Sequence, residues 1–407
     1  MHELGSPREL SSRVWRGVAL ACALALVVSG AARAGGGPGG PQAGYGPHKR
    51  EARAVLACAY ASGKVGPYRT CLESKLLQLI VSTHDPADEL PRIDAYAHSV
   101  GGWLPANCHI LMHAVGRRYA IVAHVTLENL YHSLPKSNDP GCSAGFAHGL
   151  LIALGPAIQK MGPEGAAAEC AKAATRYERY SCVHGLGHAY ARLYLDYPLP
   201  ALASCKLLGP DDAADCAQGV FHDYWIAVDG LDATKRHADM TTSPRVLCGR
   251  YAGSFARACW YRAFLERPPK RPVTSASAIL AVCAGLRGVQ EKGCVTGASV
   301  IRSADPFQQM QTCARLPAGF EIACARGVRV PAVALSPGGQ RMGLISACGA
   351  YASTARSGCF WWLGLALNVV TNGRFREHGC PLLGTAAARR SCAEGAGSYE
   401  GPLVTFS

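Results

Sequence analysis

Histidine is the residue type through which this sequence can do chemistry. The chain has 14 histidines. One motif, Cys-x-x-Gly-x-x-His, recurs in three successive segments and ends at His148, His188 and His222. Two histidine pairs have a spacing of four residues, His109/His113 and His184/His188. On a helix, residues four apart lie on one face with Cβ atoms about 5–6 Å apart. Each pair can therefore direct two imidazoles at one metal ion.

These histidines form the predicted metal site. Equivalent positions on neighbouring helices of a repeat array face the same way, with axes about 8–10 Å apart, so their imidazoles can converge. Imidazoles without carboxylates suit zinc or copper better than a di-iron carboxylate centre. Six imidazoles, with a His-x-x-x-His pair on each of two helices, resemble the ligand supply of a coupled dinuclear copper site. The predicted ligands are His109, His113, His148, His184, His188 and His222.

Residues next to these histidines complete the prediction. Asp223 follows His222 directly and is predicted to act as a base or to orient a histidine ligand. Tyr224 and Trp225 are predicted to flank a substrate. His124 lies three helical turns after His113 and so falls on nearly the same stripe.

The same pattern also admits a structural interpretation. A buried histidine is commonly a hydrogen-bonded core residue, and a recurring one can bridge neighbouring helices of a repeat protein. The signatures of standard zinc metallopeptidases, covalent haem, α/β-hydrolases and P-loop enzymes are all absent. A metal-dependent hydrolase or oxidase is therefore predicted from the histidines alone.

Cysteine spacing predicts the elements that position these residues. Most cysteines pair along the chain with 10 to 12 residues between partners, and the first members of the regular pairs advance by 35 residues on average. That period is typical of helical hairpin repeats. The predicted disulfides are Cys58/Cys71, Cys108/Cys142, Cys170/Cys182, Cys205/Cys216, Cys248/Cys259, Cys283/Cys294, Cys313/Cys324, Cys348/Cys359 and Cys380/Cys392.

Each repeat is predicted to be a helix, a turn and a second helix, with the disulfide near the turn. Alanine-rich stretches precede the first cysteine, and alanine is the best helix former. The second cysteine often opens Cys-x-x-Gly, where the glycine is predicted to permit close helix packing. The predicted fold is all-α: disulfide-stapled αα-hairpin repeats forming a helical solenoid or a compact helical array. This plan is similar to that of secreted, cysteine-rich Sel1-like repeat proteins, although their repeat motif is absent.

The N-terminus predicts export. Residues 1–34 have a basic region, a short apolar run and a small-x-small site at Ala32-Arg33-Ala34, the order of a secretory signal peptide. A Gly/Pro-rich linker, 35–50, is predicted to follow. Residues 51–230 are predicted to be His-bearing repeats with the metal site, and residues 246–405 His-poor repeats. Cleavage removes Cys22 and leaves an even number of cysteines.

Two functions follow from the sequence. One is a secreted or periplasmic protein with a transition-metal site, a hydrolase or an oxidase. The alternative is a noncatalytic solenoid that binds a protein or an anionic envelope polymer, which the formal net charge of +13 favours. Nucleic acid is not a predicted partner, because no basic cluster interleaves with aromatic residues. After signal cleavage the chain is not expected to be an integral membrane protein.

Overall fold

Helices make up the regular structure of this computed structural model, and its described residues contain no β-strand. The structure describes residues 48–59, 65–83, 85–100, 103–135, 141–174, 176–228, 240–269, 273–300, 306–328, 345–346, 348–350, 353–370 and 374–397. The front helices are α1 (Lys49–Ala59), α2 (Val65–Thr83), α3 (Pro86–Val100), α4 (Trp103–Val122), α5 (Leu130–Ser133), α6 (Cys142–Ala153), α7 (Gly155–Met161), α8 (Pro163–Cys170), α9 (Arg176–Leu193), α10 (Pro198–Lys206) and α11 (Pro210–Val228). The rear helices are α12 (Pro244–Cys248), α13 (Gly253–Glu266), α14 (Ala276–Cys283), α15 (Gly288–Ser299), α16 (Pro306–Cys313), α17 (Glu321–Gly327), α18 (Ser353–Val370), α19 (Arg374–His378), a 3₁₀-helix (Cys380–Leu382) and α20 (Ala386–Gly397).

Local sequence signals start and separate the short helices. α8, α10 and α12 begin with proline, which suits a first helical turn because its missing N–H would have no partner there. The Ser275 side chain accepts a hydrogen bond from the Ala278 N–H and so caps α14. Gly209 adopts a φ of 90° before α11, a conformation that glycine reaches without steric cost.

All nine predicted disulfides are present. They join Cys58/Cys71, Cys108/Cys142, Cys170/Cys182, Cys205/Cys216, Cys248/Cys259, Cys283/Cys294, Cys313/Cys324, Cys348/Cys359 and Cys380/Cys392. Most of them tie a short helix to the long helix that follows, as predicted for stapled hairpins. This dense local pairing indicates an oxidising environment, because cytosolic thiols are kept reduced.

Glycines of the repeat motif bring the long helices into close contact. A Cβ on Gly219 of α11 would overlap the carbonyl oxygen of His184 on α9, and a Cβ on Gly145 of α6 would overlap that of His109 on α4. Only glycine permits such a backbone approach. The predicted role of this glycine is therefore confirmed, and it holds each motif helix against the histidine-bearing helix before it.

The long helices, together with the seven-residue α17, form a row that curls on itself. Each of them packs against the next, in the order α4, α6, α9, α11, α13, α15, α17, α18 and α20. In a straight row with axes about 8–10 Å apart, the first and fourth helices would be far apart. The rings of His109 on α4 and His222 on α11 nevertheless have centroids only 5.4 Å apart. The first four long helices therefore surround a common axis, and the repeat array is compact.

The side chains at the interior motif position change from histidine in the front repeats to apolar residues in the rear repeats. The motif positions that hold histidine in the front repeats hold Val300 and Leu365 in the rear, and both are buried. Val300 packs with Tyr261 and the partly buried Leu265. Residues 48–407 form one compact unit that includes both predicted repeat regions.

Two further findings concern the sequence ends and the membrane. The predicted signal peptide and most of the predicted linker lie outside the described residues, and α1 already begins at Lys49. Within the described ranges no single helix has the length and hydropathy of a membrane span, and one bent pair, α6 with α7, meets those criteria together.

Candidate metal centre

Six histidine side chains meet where the first four long helices surround their axis. We refer to them as the histidine cluster. α4 contributes His109 and His113, α6 His148, α9 His184 and His188, and α11 His222. All are buried except His109, which is half-buried. These are the six residues predicted from the sequence, and the structure brings every one of them to the same place.

Ring and nitrogen distances describe two overlapping groups within the histidine cluster. Ring centroids are 4.7 Å apart for His113 and His188, and 4.7 Å for His148 and His184. One group, His109, His113, His148 and His188, has one nitrogen from each ring within 4.8 Å of all the others. The second group, His184, His188 and His222, meets the same limit. His188 belongs to both groups, and each group could hold a metal ion.

Helical spacing and repeat register together produce this convergence. The pairs at a spacing of four residues lie on one helix face, with ring centroids 4.9 Å apart for His109/His113 and 5.0 Å for His184/His188. His148, His188 and His222 occupy the same motif position of three repeats. Because the helices curl around one axis, that shared position faces the same interior.

Five of the six histidines have a lowered pKa, which favours the neutral imidazole. Burial lowers the pKa of His113, His148, His184 and His222 well below the usual value, and neighbouring positive charge lowers it further. Burial also lowers the pKa of His188, although Asp223 partly opposes this effect. Neutral imidazole is the form that binds metals, since its lone pair is free.

Several imidazole nitrogens lack a protein partner. Within the described residues, His113 Nε2, His188 Nε2 and His222 Nδ1 are buried and accept or donate no hydrogen bond. Burying a polar group without a hydrogen bond costs on the order of 1–3 kcal/mol. A metal ion would occupy such lone pairs, so the residues present fit a transition metal.

Asp223 lies beside the cluster and contacts His188. Its Oδ1 is 3.3 Å from His188 Nδ1, and this contact opposes the lowering of the His188 pKa by burial. Arg192 donates two hydrogen bonds to the same carboxylate, at 2.6 and 2.9 Å. Burial alone would raise the pKa of Asp223, but Arg192 and His188 hold it below its usual value. Of the two predicted roles, this position favours orienting His188 over acting as a base.

Sequence reasoning missed the groups that α13 brings to the cluster. Arg262 is buried, and its Nη2 donates towards His184 Nε2 at 3.3 Å. Glu266 Oε1 lies 3.3 Å from His222 Nε2 and 3.5 Å from Arg262 Nη1. One signal could have found them: Arg262 stands where the other motif repeats have glycine after the second cysteine.

Three further residues that the sequence analysis linked to the site make other contacts. The Tyr224 hydroxyl accepts a hydrogen bond from the Thr241 N–H at 2.8 Å, and Trp225 packs edge-on against the Tyr224 ring. Tyr224 follows His222 by two residues and therefore leaves the helix on a different face, since a turn takes 3.6 residues. His124 is exposed after the end of α4 and has a φ of 50°. The predicted substrate-flanking role stays a prediction, without contacts that support it.

Comparison with protein-family models, with curated proteins and with solved structures found no match for this chain.

Proposed function

We propose that this chain is an exported metalloprotein that holds a pair of transition-metal ions in the histidine cluster. One observation carries the proposal: six imidazoles from four helices converge in two groups that share His188. A structural role for these histidines would leave them hydrogen-bonded to separate backbone groups. Instead, their rings face one another and three buried nitrogens have no partner among the described residues.

Each of the two proposed metal positions takes its ligands from one pair of helices. His109, His113 and His148 supply the first position from α4 and α6. His184, His188 and His222 supply the second from α9 and α11. Three imidazoles are enough for a metal position that keeps one coordination place open for a reactant.

Copper is the metal that this ligand set favours. No thiolate is offered, since the described cysteines are in disulfides, and the nearby carboxylates Asp223 and Glu266 are ion-paired with arginines. Imidazole suits both zinc and copper, and copper binds a given nitrogen site more tightly. Bound copper would supply one-electron chemistry with a small oxidant such as dioxygen.

Burial of the cluster favours an oxidase over a hydrolase. Five of the six histidines are 6% exposed or less, so a polymer cannot reach them, whereas a small molecule can. His109 is the least buried member and marks the side of entry. The alternative, a scaffold that binds a protein or an anionic envelope polymer, would make no use of the cluster.

Metal analysis of protein exported into an oxidising compartment tests this proposal. We expect about two copper ions per chain in the wild type, one for each group. His188→Gln should lower the copper content to about one ion per chain, because His188 supplies the second position. His132→Gln is the matched control, since His132 is exposed on α5. No metal above background in the wild type, or equal metal in both variants, would overturn the proposal.

A further inference from the structure

Positive charge in the metal-loaded cluster is not balanced by the protein groups around it. Two carboxylates, Asp223 and Glu266, contact the cluster, and each is paired with an arginine, Arg192 and Arg262 respectively. The imidazoles supply no negative charge. Two divalent ions would therefore bring several positive charges into a buried region, where an uncompensated charge is costly. An anion from solution is needed to balance them.

Arg262 presents a place for such an anion. Its side chain is 9% exposed, and its Nη1 faces Glu266 Oε1 at 3.5 Å. The opposite edge of the guanidinium consists of Nε and Nη2. Nε is buried and has no partner in the described part of the chain, while Nη2 faces His184 Nε2 at 3.3 Å. The Nε–Nη2 edge is the kind of planar fork that binds two oxygens of one oxyanion.

Metal binding would remove the imidazole acceptor of this edge. In the structure, Arg262 Nη2 donates towards the lone pair of His184 Nε2, and the Tyr180 hydroxyl faces His184 Nδ1 at 3.4 Å. A metal ion bound through Nε2 would take that lone pair. Nη2 would then lose His184 as its acceptor, Nε has none in the described part of the chain, and the Tyr180 hydroxyl remains as a neighbour of the guanidinium. An oxyanion would both accept from the Nε–Nη2 edge and balance the charge of the metal.

We propose that a small planar oxyanion, of the carboxylate or bicarbonate class, binds the Nε–Nη2 edge of Arg262 and completes the metal centre. The inference rests on the proposed metal pair and adds a ligand class to it. Arg262 would act as a positioning residue that holds the anion against the metal at the second position. Its buried setting excludes a polymer.

Titration of the copper-loaded protein with sodium formate or sodium bicarbonate tests this inference by visible absorption. The visible absorption of the wild type should change saturably with at least one of the two anions. The anion that binds more tightly shows whether a carboxylate or bicarbonate is the preferred ligand. Arg262→Met keeps the length of the side chain and removes its charge, so the affinity should fall by at least about tenfold. Arg262→Lys keeps the charge without the fork and should also weaken binding. Arg250→Met, at an exposed arginine, is the matched control and should bind as the wild type does.

The outcomes separate this inference from the proposed function. Absence of metal in the wild type overturns both. Full metal content without a saturable response to either anion overturns the anion site alone, as does equal affinity in Arg262→Met and the wild type. If Arg262→Met does not fold, Arg262→Lys decides: wild-type affinity in that variant contradicts the inference.

Discussion

Asp223→Asn is the perturbation with the clearest expected size. Asp223 is fully buried, and Arg192 binds its carboxylate with two hydrogen bonds. Removing one partner of a buried ion pair costs about 3–5 kcal/mol, because the other charge stays buried. Arg192 is 16% exposed and can gain some hydration, so we expect a loss of about 3 kcal/mol in the free energy of unfolding. Losing the group that orients His188 should also reduce metal affinity by about 10- to 100-fold.

A second ion pair on the same two helices provides the control. Arg179 of α9 binds Asp212 of α11 through hydrogen bonds of 3.2 and 2.7 Å, but Arg179 is 38% exposed and the pair does not contact His188. Asp212→Asn should therefore cost less stability and leave metal affinity unchanged.

Urea unfolding of the metal-free protein measures the first effect, and competition with a chelator measures the second. The double variant Arg192→Gln/Asp223→Asn should be more stable than the sum of the single losses implies, since it buries no lone charge. The reasoning is refuted if Asp223→Asn costs less than about 1 kcal/mol, or if both Asp variants weaken metal binding equally.

Three further predictions follow from the helix contacts, the histidine pKa values and the disulfides. Gly219→Ala would place a Cβ against the His184 carbonyl oxygen. It should lower the free energy of unfolding by about 1–3 kcal/mol, and the variant should lose bound metal. Gly384→Ala, which meets nothing within 4 Å, should be neutral, and equal stability of the two in urea would contradict the close-approach argument. As the pH falls below about 6.5, the free energy of unfolding of the metal-free protein should decrease by about 1.4 kcal/mol per pH unit for each buried histidine. The reason is that these histidines bind a proton in the unfolded chain but not in the folded one. Urea midpoints that stay constant down to about pH 5 would contradict this. Replacing Cys313 and Cys324 by alanine should cost about 3 kcal/mol and leave the metal content unchanged, so metal loss in this variant would count against a site confined to the front helices.

The disulfide framework could be predicted from the sequence because its partners are local. A bond such as Cys205/Cys216 closes a short loop between adjacent helices, so spacing alone identifies it. Cys108 and Cys142 lie 34 residues apart, and only the period of the repeat and the absence of other partners identified that pair.

The members of the histidine cluster could be predicted, but not its burial. Helical spacing places His184 and His188 on one face, and the repeat register places His148 and His222 with them. Neither signal reveals how tightly the row of helices curls. The 5.4 Å between the rings of His109 and His222 depends on that curl, which is a property of the tertiary packing.

The contributions of α13 could not be assigned from spacing. Arg262 and Glu266 follow a motif that has lost both its glycine and its histidine, so the repeat register gives them no functional position. Arg262 reaches His184 across 78 residues of sequence. Such a contact depends on the tertiary path of the row, for which the sequence carries no periodic signal.

Anomalous diffraction from crystals of the exported, metal-loaded protein tests the central claim most directly. Data collected on both sides of the copper absorption edge should show two peaks inside the histidine cluster. Each peak should lie about 2.0–2.1 Å from three imidazole nitrogens, one at His109, His113 and His148 and the other at His184, His188 and His222. Crystals of metal-loaded protein that show no anomalous peak among these six imidazoles would contradict the account.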